Sequence, residues 1–260
     1  YFQTGLRSNI DEAVINRGIE HGLDELSTKY TKIDEVPFDF SRRRLSVVVN
    51  DGTKTQLITK GAVEEILNIS TLVDFQGSVS PITNAIKENI KKIAKDLNKQ
   101  GLRVVAVCQK NELDKSSGFG VSDEKNMVLM GFIGFLDPPK ESAKSSIEKL
   151  GKNGIRVIVL TGDNVEVTRC VCDKVGIKSR KIVTGAQIDK LADLGVKRLL
   201  KKTNIFAKLS PIQKARIVRL LKEDGNIVGF MGDGINDSPS LINSDVGISV
   251  DTAVDIAKES

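Results

Sequence analysis

Two stretches concentrate the residues whose types and spacing could do chemistry. One is Met231-Gly-Asp-Gly-Ile-Asn-Asp-Ser-Pro-Ser-Leu241, which follows the apolar run Ile227-Val-Gly-Phe230. That run predicts a buried strand, which puts the stretch at a strand end. Gly232 and Gly234 flank Asp233 and let the backbone turn sharply beside a ligand. Asp233, Asn236 and Asp237 then crowd two carboxylates and an amide into one loop. Neighbouring carboxylates repel unless a cation lies between them, and hard oxygen donors beside a phosphate suit Mg²⁺. A lone Gly-Asp-Gly reads as a polar turn with Asp237 capping the next helix. The whole string after a buried strand favours a phosphate and metal loop. The other stretch is Thr161-Gly162-Asp163-Asn164, which closes the apolar run Ile155-Arg-Val-Ile-Val-Leu160. A hydroxyl, backbone amides and a helix N-terminus together make a phosphate cradle. An ordinary capped strand-to-helix turn accounts for the same four residues equally well. Lys214 stands just inside the helix opened by Ser210-Pro211, where a lysine is ordinarily solvated.

The elements that must position these residues alternate from Asp137-Pro-Pro139 onward. A helix carrying Ala143, Ile147 and Leu150 stops near Gly154. The run from Ile155 to Leu160 predicts a nearly continuous apolar strand covered on both faces. Asn164 to Val175 predicts a helix, and Lys181-Ile-Val183 and Asn204-Ile-Phe-Ala207 predict short strands. Ser210, Pro211 and Gln213 have capping-box spacing for the next helix. Ile227–Phe230 and Val246–Val250 complete the strands. The alternation predicts a doubly wound α/β domain, in which ligands gather at strand carboxyl ends.

The earlier half is built differently. Asn9 to Gly22 predicts a helix with His21 at its end, where it favours the helix dipole. Pro37-Phe-Asp-Phe40 leads into a strand over 41–49, and Asn50-Asp-Gly52 turns into a return strand, Thr55 to Thr59. At Lys60-Gly-Ala-Val-Glu-Glu-Ile-Leu67 strand gives way to helix. Gln76-Gly77 marks a second turn, and Thr83 to Gln100 a long helix with Ile86, Ile90, Ile93 and Leu97 on one face. Leu102–Val107 and Met127–Met130 are further strands. Hairpins with segregated helices predict an α+β domain with an antiparallel sheet. Asp51-Gly-Thr-Lys-Thr55 superficially suggests a phosphorylation motif, but its hairpin setting argues against one. Arg42, Arg43 and Arg44 alternate faces on a strand and read as mostly solvated.

Composition narrows the classes. The chain has 260 residues, a net charge of +5 and no Trp. Scarce aromatics disfavour a base-stacking platform for single strands, and no nucleic-acid partner is expected. Basic residues are spread along the chain, as a small anionic ligand would allow. No apolar run is long enough to span a bilayer, and no signal peptide is visible. The chain has three cysteines, Cys108, Cys170 and Cys172; Cys170-Val-Cys172 lacks metal-site spacing, and both are expected to lie in or beside a helix packing against a sheet, reduced, in cytosol.

Gly232-Asp-Gly-Ile-Asn-Asp-Ser-Pro239 resembles the hinge motif of P-type ATPases, a branch of the haloacid dehalogenase-like phosphotransferases. Thr161-Gly-Asp-Asn164 and Pro211-Ile-Gln-Lys214 look like two further family elements, in the order that fold requires. The resemblance implies that Thr161, Gly162, Asp163, Lys214 and Asn236 serve the transferred phosphoryl group. It makes Asp233 and Asp237 the Mg²⁺ residues. Pro37-Phe38 resembles the family's adenine-stacking string, although Phe38 could equally be core. Lys60-Gly61-Ala62 looks like the element whose lysine lies beside the adenine. Asp11 occupies the place of an acidic residue near the adenine amino group, and Arg103 matches an arginine that meets nucleotide phosphates. The implied division is a nucleotide-binding domain, 1–133, and a haloacid dehalogenase-like phosphorylation domain, 134–260, lacking its first strand. The family's nucleophilic aspartate belongs to an Asp-Lys-Thr-Gly-Thr string, which is expected before Tyr1, so the 260 residues alone are expected not to turn over ATP.

Tyr1-Phe-Gln3 matches a tag remnant by its letters. With the residues up to Val14, and with the run 38–49, it also resembles bacterial magnesium transporters. The resemblance therefore implies ATP and Mg²⁺ as cofactors and the cytoplasmic part of a plasma-membrane cation pump. The other domains of the same chain and the transported cation would be its partners. A soluble phosphatase with a large cap domain and a nucleotide-binding module without chemistry remain as alternatives.

Overall fold

The structure is a computed structural model that describes residues 2–4, 9–23, 25–39, 41–111, 113, 118–178, 181–232 and 237–249. Its contacts divide the chain into two units. One comprises the chain up to Asn98 with Leu102–Leu136, and the other Lys99–Gly101 with the chain from Asp137 onward.

In the first unit, α1 (Asn9–Glu20) and the single turn α2 (Leu26–Lys29) precede β1 (Thr31–Asp39), β2 (Arg44–Asn50) and β3 (Thr55–Ala62). Then come α3 (Val63–Ile69), β4 (Ser70–Phe75), β5 (Ser78–Pro81), α4 (Asn84–Lys99), β6 (Leu102–Lys110) and β7 (Met127–Leu136). Among the described residues the strands form one seven-stranded sheet in the order β1-β2-β3-β6-β7-β4-β5. It is antiparallel except where β4 runs parallel to β7. Along β3 and β6 alternation decides which face is buried, whereas β2 is buried on both faces, with Leu45 and Val49 covered as well as Ser46 and Val48. Val48, Leu57, Ala106, Cys108, Met127 and Leu129 point to one side and form a core with Ile66, Leu67 and Ile90. The residues between them, Ile58 and Lys60 on β3 and Val105 and Val107 on β6, are only partly covered. The β2–β3 hairpin forms as its turn residues predict. Asp51 Oδ1 accepts from the Thr53 hydroxyl and from the Lys54 and Thr53 amides. Those bonds hold its carboxyl down to about 2 and make it a turn residue.

The second unit contains α5 (Ser142–Lys152), β8 (Val159–Leu160), α6 (Val165–Lys174), β9 (Val183–Thr184), α7 (Gly185–Asp189) and α8 (Asp193–Leu200). It continues with β10 (Ile205–Ala207), α9 (Pro211–Glu223), β11 (Gly229–Met231), α10 (Ser238–Asn243) and β12 (Val246–Ile248). Among the described residues β8, β10 and β9 form one parallel sheet, and β11 and β12 another. Phe206 on β10 is fully buried and packs with Ile188, Val196, Ile217 and Leu220.

Several elements differ from expectation. The strand expected over 155–160 is only Val159–Leu160, because its partner β10 has three residues. Ile155 is exposed, so that run is not covered on both faces. Phe38 lies within β1 rather than ahead of a strand. Met127 continues through Leu136, far past Met130, because β6 offers it a partner all along. Helices α7 and α8 were not anticipated, since the segment 185–200 is too short for its periodicity to stand out.

Candidate functional site

In the first unit, a lysine and an acidic residue from distant parts of the sequence meet. Lys60 Nζ forms an ion pair with Asp11 Oδ1 and donates to Gln3 Oε1 at 2.7 Å. The Lys60 side chain keeps 36% of its exposure and Asp11 13%. Lys60 is held in register on both sides, opposite Leu45 on β2 and Val107 on β6. Arg103 lies four residues from Val107 on the same strand, and thus on the same face as Lys60. At about 3.4 Å per residue the two sites lie roughly 14 Å apart along the strand direction. Phe38 is 51% exposed and sits two strands from Lys60 in the sheet order. Gly61 has a packing reason of its own. A Cβ there would meet the Arg43 carbonyl oxygen and the Arg44 Cβ at 2.6 Å, so the absence of a side chain lets β2 and β3 close together.

The arginine run does not behave as a solvated charge run. Arg42 and Arg44 are not solvated; both turn onto the buried carboxylate of Glu124. Arg42 Nη1 donates to both Glu124 oxygens at 2.9 Å, Arg44 Nε donates at 2.7 Å, and Ser46 Oγ donates at 2.7 Å. Glu124 is 3% exposed. Arg42 lies in the turn before β2 and Arg44 begins the strand, so the turn, with Arg43 at a positive φ, and not strand alternation brings both guanidinium groups onto Glu124, where desolvation demands a counter-charge. A single Glu far along the chain carried no signal of this. Gln3 was likewise missed, since nothing in its local sequence points to Lys60.

In the second unit, three expected elements come together through hydrogen bonds. Thr161 directly follows β8: its amide donates to Phe206 O at 3.1 Å and its hydroxyl accepts from the Asp163 amide at 3.1 Å. The Leu209 amide donates to Thr161 O at 3.0 Å and the Lys208 amide to Asp163 O at 2.8 Å. These bonds tie the 161–164 turn to the segment leading into α9. Gly162 has room, since a Cβ there would come no closer than 3.5 Å to Leu209 O. Asn164 caps α6 by accepting from the Val167 amide at 2.9 Å. The expected capping box of α9 forms, with Gln213 Nα–H donating to Ser210 Oγ and the Ser210 amide donating to Gln213 Oε1. The next residue is Lys214, whose Nζ donates to Asp237 Oδ1 at 2.8 Å, with side chains 13% and 12% exposed. Gly232 makes room for this: a Cβ there would meet Asp237 Cβ at 2.6 Å. Asp233 and Asn236 lie outside the described residues. Among the described residues no three potential metal-binding side chains cluster.

The thiols are structural. Cys108 and Cys172 are buried and free, and burial pushes their thiols up to about 12 and about 11. Among the described residues no helix is long and apolar enough to cross a membrane.

The first unit thus holds a Lys60–Asp11 pair on a sheet face that also carries Arg103, and the second a Lys214–Asp237 pair, with Lys214 on the helix whose leading segment is bonded to the Thr161 turn. Comparison with known proteins shows the family. Residues 6–142 match the family described as P-type ATPase, cytoplasmic domain N. The chain belongs to that family. It is 45% identical over its whole length to "Magnesium-transporting ATPase, P-type 1" of Escherichia coli (strain K12). Over 99% of the chain it is 43% identical to a protein of the same name from Salmonella typhimurium (strain LT2). Over 98% of the chain it is 32% identical to "Calcium-transporting ATPase 1" of Bacillus cereus. In each case the chain spans 29% of the relative's length.

Proposed function

We propose that this chain forms the ATP-binding and phosphoryl-transfer parts of a P-type ATPase that moves a cation, magnesium, across a membrane by way of an aspartyl phosphate. The observation that carries the reading is one chain uniting the family's domain N with a separate unit of parallel strands in which Lys214 meets Asp237. Residues 1–133 act as the nucleotide-binding domain and 134–260 as the phosphorylation domain; the division of contacts falls three residues later, after Leu136, where β7 ends. Identity of 45% to a magnesium transporter against 32% to a calcium transporter favours magnesium.

In the first domain, Phe38 stacks on adenine, Lys60 and Gly61 border it, Asp11 receives the adenine amino group, and Arg103 meets the phosphates. Nucleotide binding then exchanges the Lys60–Asp11 pair for contacts to the base. In the second domain, Thr161 and the amides of Gly162 and Asp163 cradle the transferred phosphoryl group, and Asn236 orders the loop. Lys214, released from Asp237, holds a phosphoryl oxygen. Fixed positive groups aimed at developing charge are the main catalytic resource for such a transfer.

The oxygen donors of Asp233 and Asp237 fit Mg²⁺, since Asp237 already holds one cationic group. Mg²⁺ bound there supplies neutralisation of phosphate charge. A haloacid dehalogenase-like, doubly wound sheet would join β8-β10-β9 to β11-β12 through one more parallel strand. That strand carries the acceptor aspartate in this reading.

Titrating ATP into the 260-residue chain and into Phe38→Ala tests the first half. Loss of the ring should weaken binding by about 1–3 kcal/mol, and equal affinities would remove Phe38 from the site. Incubation with γ-labelled ATP and Mg²⁺ followed by an acid quench tests the second. This chain should take no label, whereas the full-length pump should carry a hydroxylamine-sensitive one. A hydroxylamine-sensitive label on the chain itself would place the acceptor among these residues.

A further inference from the structure

The Glu124 carboxylate is not used by the proposed chemistry, yet it is the most buried charge described in the first unit. Its surroundings say what it holds. Ser46 has one hydroxyl proton and gives it to Glu124, so the 2.8 Å contact between Ser46 and Thr59 must have Thr59 as donor. A chain of hydrogen bonds therefore runs from Thr59 through Ser46 into the carboxylate. Thr59 is the residue before Lys60. On the other side, Arg42 grips both Glu124 oxygens and also donates from Nη2 to Pro37 O at 2.6 Å. Pro37 is the residue before Phe38. Arg43, between the two clamped arginines, adopts a positive φ of 49° and accepts from the Ala62 amide at 3.1 Å. Asp39 closes the turn by accepting from the Ser41 and Arg42 amides.

We propose that Glu124 is a positioning residue for the nucleotide face. From the core side of the sheet, its carboxylate fixes the β1–β2 turn against β3 and so sets Phe38 relative to Lys60. The proposal rests on the nucleotide-binding reading of this unit. Its stake is geometric. Arg42 and Arg44 need not touch the nucleotide, and Glu124 acts only through the backbone on which Phe38 and Lys60 stand.

The test is ATP titration by calorimetry on the 260-residue chain, comparing wild type, Glu124→Gln, Phe38→Ala and the double variant, with circular dichroism confirming the fold of each. Glu124→Gln should bind ATP at least tenfold more weakly, and the double variant no more weakly than Phe38→Ala alone, because a displaced ring and a deleted ring are equally lost. A general structural role would instead make the two losses add. Should Glu124→Gln fail to fold, Arg42→Gln removes the Glu124 and Pro37 contacts together from a partly exposed position and should give the same non-additive loss. Unchanged ATP affinity in a folded variant, or additive losses, would overturn the positioning role alone. Absence of ATP binding by the wild-type chain would overturn the nucleotide reading and this proposal with it.

Discussion

Lys60 and Lys214 are both candidate ligand-holding lysines, and the chain supports them in opposite ways. Lys60 lies mid-strand, with β2 and β6 paired on either side and a buried polar clamp behind it. Lys214 lies in the first turns of a helix, and its described side-chain tie is a bond to Asp237, which belongs to the turn before another helix. The strand-built site is positioned by backbone ladders. The strand-end site is positioned by side chains and turn hydrogen bonds that a ligand can exchange. The first arrangement suits a site that keeps its shape, and the second one whose contacts change when a ligand arrives.

The largest effect should come from breaking the clamp. Glu124→Ala leaves two guanidinium groups buried without their counter-charge and should destabilise the first unit by about 3–5 kcal/mol. Differential scanning calorimetry should show one transition lowered and the other in place. A uniform shift of both transitions would mean that the units do not unfold separately. Phe206→Ala is the reciprocal probe. It deletes a fully buried ring from β10 and should cost about 3–5 kcal/mol in the second unit only. Lys214→Met should cost less, about 1.5–3 kcal/mol, the range for a hydrogen bond to a charged group. A double-mutant cycle with Asp237→Asn should show coupling of the same sign.

The reading of these sites from sequence succeeded where chemistry is local and failed where it is not. The capping box at Ser210 and Gln213 and the hairpin turn at Asp51 depend on neighbours within a few residues, and each formed; of the expected stripe of the long helix, Ile86 and Ile90 reach the core, while Ile93 is exposed and Ala94 is buried instead. Thr161 and Lys214 were placed correctly at a strand end and a helix start because glycine, proline and capping residues mark such boundaries. Arg42 and Arg44 were misread as solvated because their partner lies about eighty residues away. Ile155 was assigned to a strand on its apolarity alone, whereas strand length is decided by the partner, β10. Register and long-range pairing are tertiary quantities, and a single sequence carries no term for them.

The smallest effect is chemical and separates the cysteines. Cys108 has a folded-state thiol raised from the ordinary 9.0 to about 12 by burial. A raised thiol favours the native state fully below about pH 9 and loses that contribution as pH climbs toward 12. At pH 8 a thiol reagent should therefore label partly exposed Cys170 first and Cys108 only on unfolding. Rapid labelling of Cys108 in native protein would contradict its place in the sheet core.

The comparison turns on where ATP binds. Backbone NMR of the 260-residue chain during an ATP titration measures that directly. The account predicts saturating shifts centred on Asp11, Phe38, Lys60, Gly61 and Arg103, with the residues around Thr161 and Lys214 changing little. Shifts confined to the Thr161, Lys208 and Lys214 amides, with the strand-built face unmoved, would contradict it.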